Sequence, residues 1–178
     1  MLCLGSIAIG CYLLALYYNP GLTFTTSGMY SKQQASQIRQ NFWTSFGQYM
    51  RPVTGAGGEL VNWINYKTGL KFLFFRLDAD KNEAAVSIEL RHPDIEMQEH
   101  YFQQFISVRN LLENALGESW EWEREITDDD GRVISRIGTR LTGVNIFNQE
   151  DWPAIISFFK PRLIALDDFW DTVKDSFQ

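Results

Sequence analysis

From Ser31 onward, apolar residues recur at three- and four-residue steps: Ala35, Ile38, Phe42, Phe46 and Tyr49. That spacing predicts an amphipathic helix. Ser31 with Gln34 three positions on forms a capping box that would start it. The helix should stop by Arg51-Pro52, and "TGAGG" then reads as a flexible loop. Beyond it the period shortens to two. The run "ELVNWINYKTGLKFLFFRLDADKNEAAVSIELRH" predicts three strands, with turns at Lys67-Thr68-Gly69 and Asp80-Lys81-Asn82. Side chains alternate between the faces of a strand. One face therefore gathers Val61, Trp63, Leu73, Phe75, Leu77, Val86, Ile88 and Leu90 as core. The other carries Asn62, Ile64, Phe72, Phe74, Arg76, Asp78, Ser87, Glu89 and Arg91.

A second helical stripe follows Pro93, through Tyr101, Phe102, Phe105, Val108, Leu112, Ala115 and Leu116, and Gly117 should end it. Next, "ESWEWEREITDDDGRVISRIGTRLTG" predicts a hairpin turning at "DDDG", which pairs Ile126 with Val133, Trp122 with Ile137 and Glu123 with Arg136. Arg132, Arg136 and Arg140 then stand in a row, a pattern that suits phosphate binding. Glu121, Glu123 and Glu125 share that face, however, which favours plain cross-strand ion pairing. A last helix should be capped at Asn148, with Asp151 three positions on. Pro153 is tolerable in its first turn, whereas Pro161 should kink or split it, and Leu163, Leu166, Trp170, Val173 and Phe177 continue its stripe. The predicted order is α-β-β-β-α-β-β-α, an α+β fold with a mostly antiparallel sheet of about five strands and packed helices.

Composition sharpens this picture in three ways. A hydrophobic share of 45% in 178 residues is enough to build one real core. The formal charge of -6 disfavours unaided binding to a nucleic-acid backbone. The only cysteines, Cys3 and Cys11, precede the predicted domain, and His92 and His100 lie eight positions apart, so neither residue type suggests a metal site.

Residues 1–28 form an apolar leader without a charged residue, the first basic residue being Lys32. Its run over residues 2–18 is just long enough to span a bilayer. A secretory signal would carry a basic start, which this lacks. Three readings stand open: a membrane anchor, a cleaved signal, or a spurious upstream extension with translation starting at Met29. The single α+β domain is placed at residues 29–178. The protein is expected in the cytoplasm if it starts at Met29, and anchored to a membrane otherwise.

The order α-β-β-β-α-β resembles the core of the PD-(D/E)xK nuclease superfamily, which places an acid on the second strand and acid-x-lysine on the third. Asp78 and Glu89-Leu90-Arg91 occupy those positions. Two carboxylates on one face would hold Mg²⁺ and activate water for phosphodiester cleavage. Arg91 departs from the pattern, because arginine stays charged and does not serve as an adjustable proton-transfer group. The catalytic candidates are therefore Asp78, Glu89 and Arg91, with Asp78 and Glu89 as metal ligands. Phe72, Phe74, Arg76 and Arg91 are a candidate base-stacking face, unless the aromatic pair is buried under the last helix. Outside the nuclease reading no cofactor is expected.

Four stretches carry a further resemblance: "MYSKQQASQIRQNFWTSFGQYM", "NWINYKTGLKFLFFRLDAD", "IELRHPD" and "FNQEDWPAIISFFKPRLIALDDFW". Over residues 29–178 the chain is similar to a bacterial family known only as a domain of unknown function (domain of unknown function 4268). The resemblance implies a link to nucleic-acid metabolism or defence by association, and it supplies no catalytic residues. A non-catalytic interaction or accessory module is the expectation. A metal-dependent nuclease-type hydrolase and a membrane-tethered binding domain are the alternatives. The expected partner is a protein or a larger nucleic-acid-processing system; nucleic acid itself is disfavoured by the charge, and a membrane enters only if the leader is retained.

Overall fold

The helix predicted after Ser31 forms as α1, Lys32–Met50. Its buried stripe is Phe42, Phe46 and Met50, while Tyr49 turns outward. The computed structural model describes residues 30–177, so the leader and Met29 lie outside the described residues. Among the described residues, no helix is long and apolar enough to cross a membrane.

Residues 51–72 correct the predicted strand count. The segment "ELVNWINY" contributes only an isolated bridge between Thr54 and Leu60. Asn62 explains the failure: its side chain and its carbonyl both accept from the Asn65 amide at 3.1 Å, closing a turn where a strand would have to stay extended. Side chains then fix this long loop to the body. Trp63 Nε1 donates to Val53 O at 2.9 Å, Thr68 Oγ1 to Leu73 O at 2.8 Å, and Trp170 Nε1 to Thr68 O at 2.8 Å.

Among the described residues the sheet therefore has four strands rather than about five, all antiparallel. They are β1 (Leu73–Ala79), β2 (Glu83–Leu90), β3 (Glu121–Thr127) and β4 (Val133–Thr142), in spatial order β1-β2-β4-β3. Two hairpins thus sit side by side through β2 and β4. The predicted second helix divides into α2 (Ile95–Ser107) and α3 (Arg109–Leu116). Ser107 Oγ donates to Gln104 O at 2.7 Å, a back-bond that competes with the helical ladder at the break. Gly117 ends α3 in the left-handed region at φ 68°, as predicted.

The last helix, α4 (Trp152–Val173), runs unbroken through Pro161, contrary to the predicted kink or split. Both halves are held on the core, by Ile155, Phe158 and Phe159 before the proline and by Leu163, Leu166 and Trp170 after it. Pro161 itself is exposed, and the neighbouring Arg162 guanidinium donates to Phe158 O at 2.9 Å. Tertiary packing here outweighs a local cost of about 3 kcal/mol. Asn148 caps a short 3₁₀ turn, Gln149–Asp151, that leads into α4.

The helices cover one face of the sheet. Helices α2 and α4 lie against it, and α1 and α3 pack on α4. Leu73, Phe75, Val86, Ile88, Leu90 and Ile137 supply the sheet side of the core, matching the predicted parity. Aromatic rings supply much of the other side: Phe42, Phe46, Phe105, Phe159 and Trp170 are all at most 2% exposed.

Candidate functional site

The sheet's other face carries the ionic residues, and strand pairing arranges them in cross-strand rows. One row is Phe74, Glu89, Arg136 and Glu123; the next is Arg76, Ser87, Gly138 and Glu121; a third is Asp78, Ala85 and Arg140. The hairpin register agrees with the predicted pairs Trp122–Ile137 and Glu123–Arg136. It then slips, so Ile126 faces Ile134 and not Val133. A bulge at Arg124–Glu125 absorbs the extra residue, with Glu125 at φ 49°. Such bulges bend a strand and sharpen its twist. Here Asp129, in the hairpin turn, lines the same depression as Asp80 and Glu83 at the opposite end.

That depression is a groove of about 280 Å³ running over the sheet. Its middle is low because Ser87 and Gly138 face each other. A β-carbon on Gly138 would sit 2.9 Å from both Val86 O and Ser87 Cβ, so only glycine lets β2 and β4 approach this closely.

Glu89 dominates one half of the groove. It is 5% exposed. Arg91 approaches its carboxylate at 2.5 Å, Arg136 at 3.5 Å and Arg76 at 4.0 Å. Arg76 and Arg91 also lie 4.9 and 5.9 Å over the Phe74 ring, so the aromatic side chain shields the same cluster from one side. Arg136 reaches Glu123 at 3.9 Å as well. Arg140 bridges Glu83 at 3.6 Å and Glu121 at 3.3 Å, while Arg132 pairs with Asp128 and Asp130 in the turn. The arginine row is thus committed to carboxylates: Arg136 and Arg140 pair across strands with Glu123 and Glu121 as expected, whereas Arg132 takes the turn aspartates and not Glu125. The backbone amide of Arg132, donating to Asp128, holds that carboxyl below the usual carboxylate range.

Asp78 and Glu89 share this face but do not converge. Asp78 stands opposite Ala85, four positions along β2 from Glu89, or about 13 Å at strand spacing. Its Oδ1 accepts from the Ala79 amide at 2.9 Å. Mg²⁺ needs several oxygens at about 2 Å. Two carboxylates this far apart, one already saturated by guanidinium groups, do not fit it. Among the described residues, no group of three or more His, Cys, Asp or Glu could hold a metal ion. The nuclease-like core is not what the sheet shows either, because the strand expected ahead of Asp78 is a loop. Phe72 and Phe74 are both half-buried rather than covered by α4. The Phe72 ring meets His92 edge-on at 4.4 Å, with Lys71 at 5.0 Å over it.

A second polar centre was not foreseen. Asp167 is 3% exposed, on the buried side of α4. It accepts from Tyr66 Oη and from the Ala56 amide, each at 2.6 Å, and so ties the glycine loop and the 51–72 segment to the helix. The available signal was an aspartate following Leu163 and Leu166 on an apolar stripe. Burial first, then the hydrogen bond to Asp167, push the Tyr66 hydroxyl far above the ordinary tyrosine value of 10.0. A raised folded-state value means a contribution that is complete below about pH 10 and shrinks as pH rises further. Wild type should therefore lose stability faster above pH 10 than Tyr66→Phe, as measured by urea unfolding across an alkaline pH series. Parallel losses in the two proteins would show that Tyr66 does not couple to folding.

Together the fold and the groove define a small two-layer α+β domain with an open, internally ion-paired sheet face. A family model described as Domain of unknown function (DUF4268) matches residues 38–174, and the chain belongs to that family. No curated protein and no solved structure matches it.

Proposed function

We propose that this domain is a non-catalytic interaction module that docks a partner protein on the outer sheet face. The observation that carries this reading is the state of Glu89, the best-placed catalytic candidate. Three guanidinium groups surround its carboxylate, and Asp78 is about four strand positions away. A general base or metal ligand needs available lone pairs; here they are engaged in holding the sheet face rigid. Rigidity of this kind suits a docking surface, whose side chains then lose little freedom on binding. The companion expected from the family resemblance is a component of a nucleic-acid-processing system.

Two measurements test the reading. Calorimetric titration with Mg²⁺ or Mn²⁺ should give no heat that Glu89→Ala abolishes, and neither single- nor double-stranded DNA should be cut. Metal-dependent cleavage lost in Glu89→Ala would overturn the proposal in favour of a hydrolase. A photo-crosslinking residue at Ala85, in the groove, should trap a defined partner in cells, whereas one at Thr44, exposed on α1, should not. Trapping from Thr44 alone would move the interface to the helical layer.

A further inference from the structure

The groove's charges are unequally satisfied, and this points to the chemistry of what it accepts. Three arginines line it against six carboxylates, leaving a net of -3. All three arginines, Arg76, Arg136 and Arg140, already have carboxylate partners within 4.0 Å. Glu83, Glu89 and Glu123 are their counterparts. The remaining carboxylates, Asp78, Asp80 and Asp129, are in no ion pair among the described residues. Asp78 and Asp80 use one oxygen each on nearby backbone amides, which fixes their direction without neutralising them.

The uncompensated charge is therefore divided between the ends of the groove: Asp78 and Asp80 at one, Asp129 at the other. From Glu83 to Glu89, β2 spans six residue steps along this groove, or about 20 Å. An extended segment of about six residues covers that length.

We propose that the groove receives an extended, lysine- or arginine-bearing segment of a partner protein. Its basic residues near the two ends would meet Asp78 and Asp80 on one side and Asp129 on the other. The middle of the segment passes over the low floor at Ser87 and Gly138, where small side chains fit. Charge complementarity selects this occupant, since a nucleic-acid backbone or acidic segment would face uncompensated carboxylates at both ends. A divalent cation is a poorer match, because among the described residues no group of three or more His, Cys, Asp or Glu could hold one. This inference rests on the docking reading above and adds the partner's chemistry to it.

The test uses fluorescence anisotropy with two labelled hexapeptides, one with lysine at its first, second and sixth positions and serine elsewhere, the other with glutamate replacing lysine. At low salt (about 0.01 M, where the screening length is about 30 Å) the lysine peptide should bind and the glutamate peptide should not. The double variant Asp78→Asn/Asp129→Asn should weaken lysine-peptide binding about tenfold, as expected for losing exposed ion pairs. Both positions are exposed, and asparagine at 78 keeps an acceptor for the Ala79 amide, so thermal melting should be unchanged. Failure of the lysine peptide to bind, equal binding of both peptides, or indifference to the double variant would overturn the inference. Displacement of the peptide by stoichiometric Ca²⁺ or Mg²⁺ would do the same, by showing a metal site. Trapping from Ala85 without lysine-peptide binding refutes only the cationic partner; absence of both refutes the docking reading as well.

Discussion

Trp170→Ala is expected to lower the unfolding free energy by about 5 kcal/mol, the largest effect of any substitution considered. The indole is 2% exposed and packs against Phe75, Phe105 and Phe177, with centroids at 6.0, 6.4 and 5.2 Å. Truncating a buried tryptophan to alanine costs about 3–5 kcal/mol through lost burial and the cavity left behind. Its Nε1 also donates to Thr68 O, and leaving that buried carbonyl unpartnered adds roughly 1–3 kcal/mol. The sum is comparable to the whole stability of many domains, about 5–15 kcal/mol. Trp170→Phe supplies the folded comparison. It keeps most of the packing, loses the hydrogen bond, and should cost about 1–2 kcal/mol in urea unfolding. An alanine variant as stable as wild type would show that the 51–72 loop and α4 are not joined at this residue.

Glu89→Ala is the second large effect, with an expected loss of about 3 kcal/mol. Removing Glu89 leaves Arg76 and Arg91 without an ion-pair partner among the described residues, while Arg136 keeps Glu123, and three like charges would then share one patch. The figure lies at the lower end of the roughly 3–5 kcal/mol for breaking a buried ion pair because Arg76 and Arg136 have side-chain exposures of 46% and 31%, and can turn toward water. Glu89→Gln keeps the shape and part of the hydrogen bonding, so its loss should be smaller, about 1–2 kcal/mol. High salt should shrink the alanine penalty by screening the guanidinium repulsion. A Glu89→Ala protein that is more stable than wild type would instead mark this glutamate as held under strain for a functional purpose, and would reopen the catalytic reading.

The parity of β1 and β2 could be read without coordinates because alternation forces it: Leu73, Phe75, Val86 and Ile88 had to share one face, and Arg76, Asp78 and Glu89 the other. The Glu123–Arg136 pair followed from the turn at Asp128–Gly131. Nearer the turn the count failed for Ile126, because Asp128 pairs with Arg132 and the loop is one residue longer than a two-residue tip. The bulge at Arg124–Glu125, which leaves no mark in a run of alternating charges, restores the register at Glu123. The strand expected at "ELVNWINY" failed because a two-residue period cannot weigh the Asn62 turn or the pull of Trp63 on Val53 O. Pro161 misled in the opposite direction, its local cost being outweighed by packing on both sides of it.

The candidate site divides in the same way. Its residue types and their common face belong to the chain's pattern. Which carboxylates are neutralised and which are not depends on how β3 and β4 fold beside β2, and on a hairpin turn that brings Asp129 to the groove. Asp167 shows the same dependence, since its partners Tyr66 and Ala56 lie 101 and 111 residues away along the chain.

The sequence by itself determined the α+β class, the helix ends at Ser31 and Gly117, and the sorting of apolar from ionic residues across the sheet. These are short-range consequences of backbone geometry, periodicity and capping. Only the tertiary structure decided the number of strands, the survival of α4 through its proline, and the pairing that saturates Glu89 while leaving Asp78, Asp80 and Asp129 without ionic partners among the described residues. Electrostatic pairing and burial depend on distances between segments far apart in the chain, and no local pattern records those distances.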